Sequence, residues 1–130
     1  MSGGATPPVV RVIVVNYNSG PHLARCLAAL ARQSFTVFEA IVVDNGSTDN
    51  SLAGALPEDP RFCAVRLGEN LGFAAANNCG AADAATLLVA TLNPDAFPEP
   101  NWLAALVVVA MSPDSPDRFQ FHWPATPILV

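Results

Sequence analysis

The sequence predicts an open, doubly wound α/β domain: a mostly parallel sheet with helices on both faces. Three observations predict it. Residues 9–15 (VVRVIVV) form a near-continuous β-branched run, strand and helix patterns alternate four times, and every strand exit carries a polar or glycine-bearing segment. A strand covered on both faces reads as an unbroken apolar run rather than an alternation. At 130 residues the chain has room for one domain with one sizeable core.

Each element follows from a local pattern. The first strand is broken by Asn16-Tyr17-Asn18-Ser19-Gly20. A helix is expected next, with Pro21 near its first turn and Leu23, Cys26, Leu27 and Leu30 at helical spacing. A second buried strand over residues 39–43 runs into Asp44-Asn45-Gly46-Ser47-Thr48-Asp49. There Ser47 or Thr48 is expected to cap a short helix through residues 52–56, ended by Pro57. Residues 61–67 read as a third strand, followed by Gly68-Glu69-Asn70-Leu71-Gly72. An alanine-rich helix is expected over 73–83, its small residues (Ala74, Ala75, Ala76, Ala81, Ala82) allowing close approach to the sheet. A fourth strand over 86–92 ends in Asn93-Pro94-Asp95, and a last helix runs over 99–111. Residues 112–130 hold four of the twelve prolines and show no period, so 9–111 reads as the folded unit and 112–130 as an irregular tail.

Composition removes several classes of function. Apolar residues make up 52% and charged residues 13%, which excludes disorder for most of the chain. The net charge is −5, all six cations are arginine, and no basic run exists, so no nucleic-acid partner is expected. Cys26, Cys63 and Cys79 lack a C-x-x-C spacing and read as small hydrophobes in a reducing compartment. The longest apolar runs, 84–92 and 103–111, fall far short of the roughly 20 residues a spanning helix needs. No secretory signal is expected in residues 1–8. The chain is therefore expected to be cytoplasmic, with a longer parent able to dock at the inner face of the cell membrane.

In a doubly wound sheet, ligands bind beyond the carboxyl ends of the strands, so the strand exits hold the candidate site. A carboxylate ending a buried strand is costly unless it accepts hydrogen bonds. Asp44 has two readings: it caps its own turn through backbone amides, or it accepts from a ring N–H of uracil, thymine or guanine. Tyr17 either stacks on that base or closes the end of the sheet. Asp95, behind Pro94, is either a turn residue or a single carboxylate for Mg²⁺ or Mn²⁺, the other ligands coming from a diphosphate. Asn77 and Asn78 either face the crevice or form a polar helix face. The segment over 16–20 has one glycine, which argues against a nicotinamide dinucleotide. The Asp44 loop lacks the second carboxylate of an aspartyl phosphotransferase, His22 and His122 suggest no metal pair, and no nucleophilic triad can be assembled.

In this order, VIVVNYNSG, EAIVVDNGSTDNS, ENLGFAAANNCG and TLNPDAFPEPNWL resemble the inverting family 2 glycosyltransferases with a GT-A fold. Within that family they are most similar to the rhamnosyltransferase group of bacterial cell-surface polysaccharide synthesis. The resemblance implies transfer of a sugar from a nucleoside-diphosphate donor to a saccharide or lipid-linked acceptor, with a divalent cation. It implies that Tyr17 and Asp44 hold the base with the Asn16, Asn18 and Asn45 segments around them, and that Asn70, Gly72 and Asn77 line the donor pocket. Asp95 stands at the last position of the family's D-x-D metal motif, with Asn93 and Pro94 at the other two, so it would be the sole carboxylate. The second half of such enzymes carries the acceptor site and a carboxylate base. After Glu99 this chain has only Asp114 and Asp117, among prolines, so its own catalytic base is unassigned. The chain is accordingly expected to be the donor-binding half of a longer enzyme, inactive alone. The alternative is a non-catalytic nucleotide- or partner-binding fragment. The helix over 99–111, apolar all round from 103 on, is expected to drive self-association or recruit the missing half.

Overall fold

The computed structural model describes residues 7–112 and the backbone of 128–129. The strands are β1 (Val10–Asn16), β2 (Phe38–Asp44), β3 (Phe62–Arg66), β4 (Leu88–Thr91) and β5 (Ile128–Leu129). The helices are α1 (His22–Ala31), α2 (Phe73–Ala81) and α3 (Trp102–Ala110). The sheet runs β3-β2-β1-β4-β5, and every pair is parallel. The chain builds outward from β1 to β3, then crosses back over the sheet to place β4 on the other side of β1. That reversal puts the topological switch point between β1 and β4.

The β-branched run of β1 is explained by the two layers that cover it. Val10, Val12 and Val14 join Leu23, Cys26, Leu27 and Leu30 of α1, with Leu103 of α3, in the larger core. Ile13 and Val15 face the opposite way, into a smaller core with Ile41, Val43, Val89 and Ala76 of α2. Alternate side chains point to opposite faces, and both faces are buried from Val12 to Val15, so that stretch is wholly apolar; Arg11, near the start of the strand, is partly buried and paired with Glu39 and Asp83.

The close approach of α2 rests on one of the expected alanines, Ala76, and on a glycine that was not expected. Ala74, Ala75 and Ala82 are exposed; Ala76 and Gly80 are the buried positions. A Cβ on Gly80 would lie 2.8 Å from Ile13 Cγ2 and 3.1 Å from Val43 Cγ2. Glycine there lets the helix settle on the sheet.

Two local expectations are corrected, and one short strand pairing lies beyond the range read as the folded unit. Residues 51–56 form successive turns and no helix. Their bonds run i→i−3, from Ala53 N to Asn50 O and from Ala55 N to Leu52 O. Asn50 and Gly54 both take positive φ, at 62° and 69°, which interrupts any helical ladder. Leu52 and Ala55 are nevertheless buried in the larger core. Next, α3 begins at Trp102 rather than 99, after a turn from Trp102 N to Glu99 O. Finally, inside the segment read as irregular, Ile128–Leu129 pairs in parallel with Leu88 and Val89. Asp114, Asp117 and His122 lie outside the described residues.

Candidate donor site at the carboxyl edge of the sheet

The parallel register ends β1 and β2 side by side, with Asn16 opposite Asp44. The two backbones stay together one step further, through Asn45 N to Asn16 O at 2.8 Å. Both side chains are buried, Asn16 fully and Asp44 to 4% exposure. Asn16 Nδ2 donates to Asp44 Oδ1 at 2.9 Å, to Ser51 Oγ at 2.9 Å and, at the longer 3.2 Å, to Ser47 Oγ. The amide orientation follows from the carboxylate, because turning it over would set one oxygen against another.

One of the two readings of the Asp44 side chain, the turn cap, finds no hydrogen bond to support it. Asp44 accepts from the Asn16 amide and from no backbone N–H among the described residues, so it is not the cap of its own turn. Asp44 Oδ2 takes no hydrogen bond from the described residues. Among the described residues the sealed side-chain oxygens without a partner are Asn16 Oδ1 and, in α2, Asn77 Oδ1; Asp44 Oδ2 is not one of them. Leaving an acceptor such as Asn16 Oδ1 buried and unpaired costs about 1–3 kcal/mol.

Around this pair the loop after β2 is locked to its neighbours. Asn18, at φ +50°, donates its N–H to Ser47 Oγ at 2.9 Å and accepts the Thr48 amide on Oδ1 at 2.7 Å. Asp49 accepts the Gly20 amide at 2.9 Å and the Ser51 amide at 3.0 Å; the Ser51 side chain foremost, with these backbone bonds behind it, holds the Asp49 pKa below the usual carboxylate value. On the other side, Asn45 Oδ1 accepts the Leu71 amide at 2.9 Å, and its Nδ2 donates to Asn70 Oδ1 at 3.1 Å. Asn70 Oδ1 also accepts the Gly72 amide at 2.8 Å, just before α2 starts. Gly72 takes φ +93°, a conformation that glycine adopts without strain.

Of the expected site residues, Asn16, Asn18, Asp44, Asn45, Asn70 and Gly72 are thus brought into one hydrogen-bonded edge. Tyr17 follows directly and leaves half its surface exposed beside it. Asn77 and Asp95 are not tied into this network among the described residues. Asn77 Nδ2 donates to Phe73 O one turn back, at 3.1 Å. Asp95 is exposed in the loop after β4, with β1 lying between it and the Asp44 strand. Its charge, after the larger effect of burial, helps push the Cys26 thiol of α1 up to about 11.

The reading of the sequence missed Ser47 and Ser51 as partners of Asn16, and Gly46. A Cβ on Gly46, at φ +84°, would lie 2.7 Å from Asn70 N and Glu69 C. The D-N-G-S-T-D-N-S run held the signal, since small hydroxyl residues beside a buried carboxylate are candidate hydrogen-bond partners. Arg66 was missed too. It is the register partner of Asp44 on β3, exposed and without an ion pair among the described residues. The grooves at the amino end of the sheet, by contrast, are lined by Arg11, Glu39 and Arg61. Their charges are already matched, Arg11 by Glu39 and Asp83, and Arg61 by Asp59.

The family model for glycosyl transferase family 2 matches residues 11–115. The chain belongs to that family. An N-acetylglucosaminyl-diphospho-decaprenol L-rhamnosyltransferase of Mycobacterium tuberculosis is 37% identical over 70 residues, spanning 54% of this chain and 23% of the relative. A glycosyltransferase of Escherichia coli, YibD, is 32% identical over 105 residues, spanning 79% of this chain and 30% of the relative. Among solved structures, a Pyrobaculum calidifontis mannosyltransferase in complex with GDP-Man and Mn²⁺ superposes with a TM-score of 0.74 at 28% identity, covering 83% of this chain and 34% of that one. Staphylococcus aureus TarS 1–349 in complex with UDP-GlcNAc gives 0.66 at 26%, covering 78% and 30%. The GT-A architecture is therefore the fold, and the chain spans about a quarter to a third of these relatives' length.

Proposed function

We propose that the carboxyl edge built around Asp44 is the donor site of a sugar transferase, with residues 9–111 its nucleotide-sugar-binding half. The observation that carries this reading is the Asn16–Asp44 pair: a buried carboxylate at a strand exit with one oxygen tied down and the other without a partner among the described residues. Such an oxygen suits a ring N–H of a nucleobase, and the exposed Tyr17 ring beside it suits stacking. Neighbours of the same fold bind GDP-Man and UDP-GlcNAc, which supports a nucleoside-diphosphate sugar as ligand. The complete enzyme would pass the sugar, with inversion, to a saccharide or lipid-linked acceptor at the inner face of the membrane.

A divalent cation fits this edge in a limited way. Among the described residues no group of three or more His, Cys, Asp or Glu side chains converges on one point. Asp95 would therefore supply one carboxylate and the diphosphate the remaining oxygens. Bound there, the cation would screen the phosphate charge. Asn16, Asp44 and Tyr17 would orient the base independently of it.

The test is calorimetric titration of the chain with UDP, dTDP and GDP, with Asp44→Asn alongside. Because Asn16 holds the side-chain oxygen of residue 44, the new amide nitrogen would face the base N–H, donor against donor. A loss of at least about tenfold is expected, the scale of one charge-assisted hydrogen bond. Equal affinities would remove Asp44 from the site.

A further inference from the structure

The Asn16–Asp44 pair bears on which base the site accepts, an inference that rests on the donor-site reading above. Asp44 Oδ1 points to the interior, held at 2.9 Å by an amide with no surface exposure. The same Asn16 Nδ2 also donates to Ser51 Oγ at 2.9 Å and Ser47 Oγ at 3.2 Å, which fixes the nitrogen toward these acceptors. Oδ2 is the carboxylate oxygen left without a partner among the described residues.

Nucleobases differ in what they offer a carboxylate. Guanine presents two adjacent donors, N1–H and the N2 amino group, which a carboxylate matches best with both oxygens in parallel. Uracil and thymine present one donor, N3–H, between two carbonyls. Cytosine presents an acceptor at the same position. A site with one available oxygen satisfies a single donor fully and leaves the second donor of guanine desolvated and unpaired, which a polar site rejects strongly.

We propose that Asn16 is a positioning residue that leaves Asp44 one acceptor oxygen, and that the site thereby selects uracil or thymine nucleotides over guanine and cytosine ones.

The experiment titrates the full chain with UDP, dTDP, GDP and CDP in the presence of Mn²⁺, for wild type, Asn16→Ala and Asp44→Asn. For wild type, the better of UDP and dTDP should bind at least about tenfold tighter than GDP and CDP. In Asn16→Ala both carboxylate oxygens are released, and the preference over GDP should shrink to about threefold or less, whereas a purely structural role would weaken all four nucleotides by one factor. Asp44→Asn needs no cavity in the core and reads the same orientation differently. With Asn16 holding the oxygen of residue 44, its amide nitrogen faces the crevice, so CDP should come to bind more tightly than UDP. An amide free to turn over would keep UDP ahead, and that result would overturn the positioning role. GDP binding as tightly as UDP and dTDP, while still depending on Asp44, would sink this inference and leave the donor site standing. No nucleotide binding at all, or none that responds to residue 44, would sink both.

Discussion

Gln33 and Leu103, seventy residues apart, are joined by a hydrogen bond from the Leu103 amide to Gln33 Oε1 at 2.9 Å. The same side chain donates through Nε2 to Glu99 O at 2.7 Å. Gln33 is 3% exposed, and the N-terminus of α3 has no side-chain cap from its own Asn101. Gln33, two residues past the end of α1, thus supplies the capping acceptor for α3 and satisfies a carbonyl of the turn before it. Gln33→Ala should destabilise the domain by about 1–3 kcal/mol, the range for a lost cap plus a buried group left unpaired. Gln33→Glu keeps the acceptor but loses the donor to Glu99 O. Denaturant melts of the three forms check this, with no change in Gln33→Ala the outcome that would refute it.

Gly46 carries the contact between the Asp44 loop and the loop before α2. Its φ is +84°, and a Cβ would fall 2.7 Å from two backbone atoms of Glu69 and Asn70, which have no side-chain freedom to yield. Gly46→Ala should therefore lower stability by about 1–3 kcal/mol through strain and displacement together. It should weaken nucleotide binding as well, since Asn45 would lose its hold on Asn70. Gly54→Ala, with positive φ but open space around it, is the control and should show the smaller effect.

The three cysteines should separate by reactivity. Cys63 and Cys79 are exposed and Cys26 is buried. Burial, then the charge of Asp95, pushes the Cys26 thiol up to about 11. A thiol-specific reagent at neutral pH should label two sites quickly and the third only on unfolding. The folded state favours the protonated thiol, so this contribution to stability is fully present below pH 9 and is lost as pH rises toward about 11. Alkaline melts of wild type and Cys26→Ala should converge in shape over that window. Rapid labelling of all three thiols in the folded chain would contradict the burial.

Asp95 is the test of the cation. Diphosphate affinity should fall with a chelator and in Asp95→Asn, and a nucleoside monophosphate should respond far less because it offers fewer oxygens. If UDP binding ignores the chelator, Asp95 is a turn residue only.

The face of α3 turned from the core is apolar: Val108 is 70% exposed, Val109 58% and Met111 41%. We expect it to associate with another copy of the chain or with the remainder of a full-length enzyme. Sedimentation should show concentration-dependent association that Val108→Lys with Val109→Glu reduces, the melting temperature staying nearly unchanged. A monomer at all concentrations would rule out the self-association.

Much was legible in the residues alone. The β-branched run of 9–15 could only suit a strand covered on both faces, and four polar strand exits in a fixed order identified both the crevice and the family. These features are local or patterned, and a strand's period and a loop's polarity are written along the chain. What the pattern could not carry was who meets whom. That residues 51–56 would not become a helix depended on backbone angles at Asn50 and Gly54, and the packing of α2 depended on Gly80 meeting Ile13 together with Ala76, while Ala74, Ala75 and Ala82 stay exposed. The decisive relation at the site is of the same kind. Asn16 and Asp44 are each ordinary strand-end residues in sequence. Only the parallel register of β1 against β2 sets them opposite one another, buries both, and ties one carboxylate oxygen to the Asn16 amide while leaving the other without a partner among the described residues.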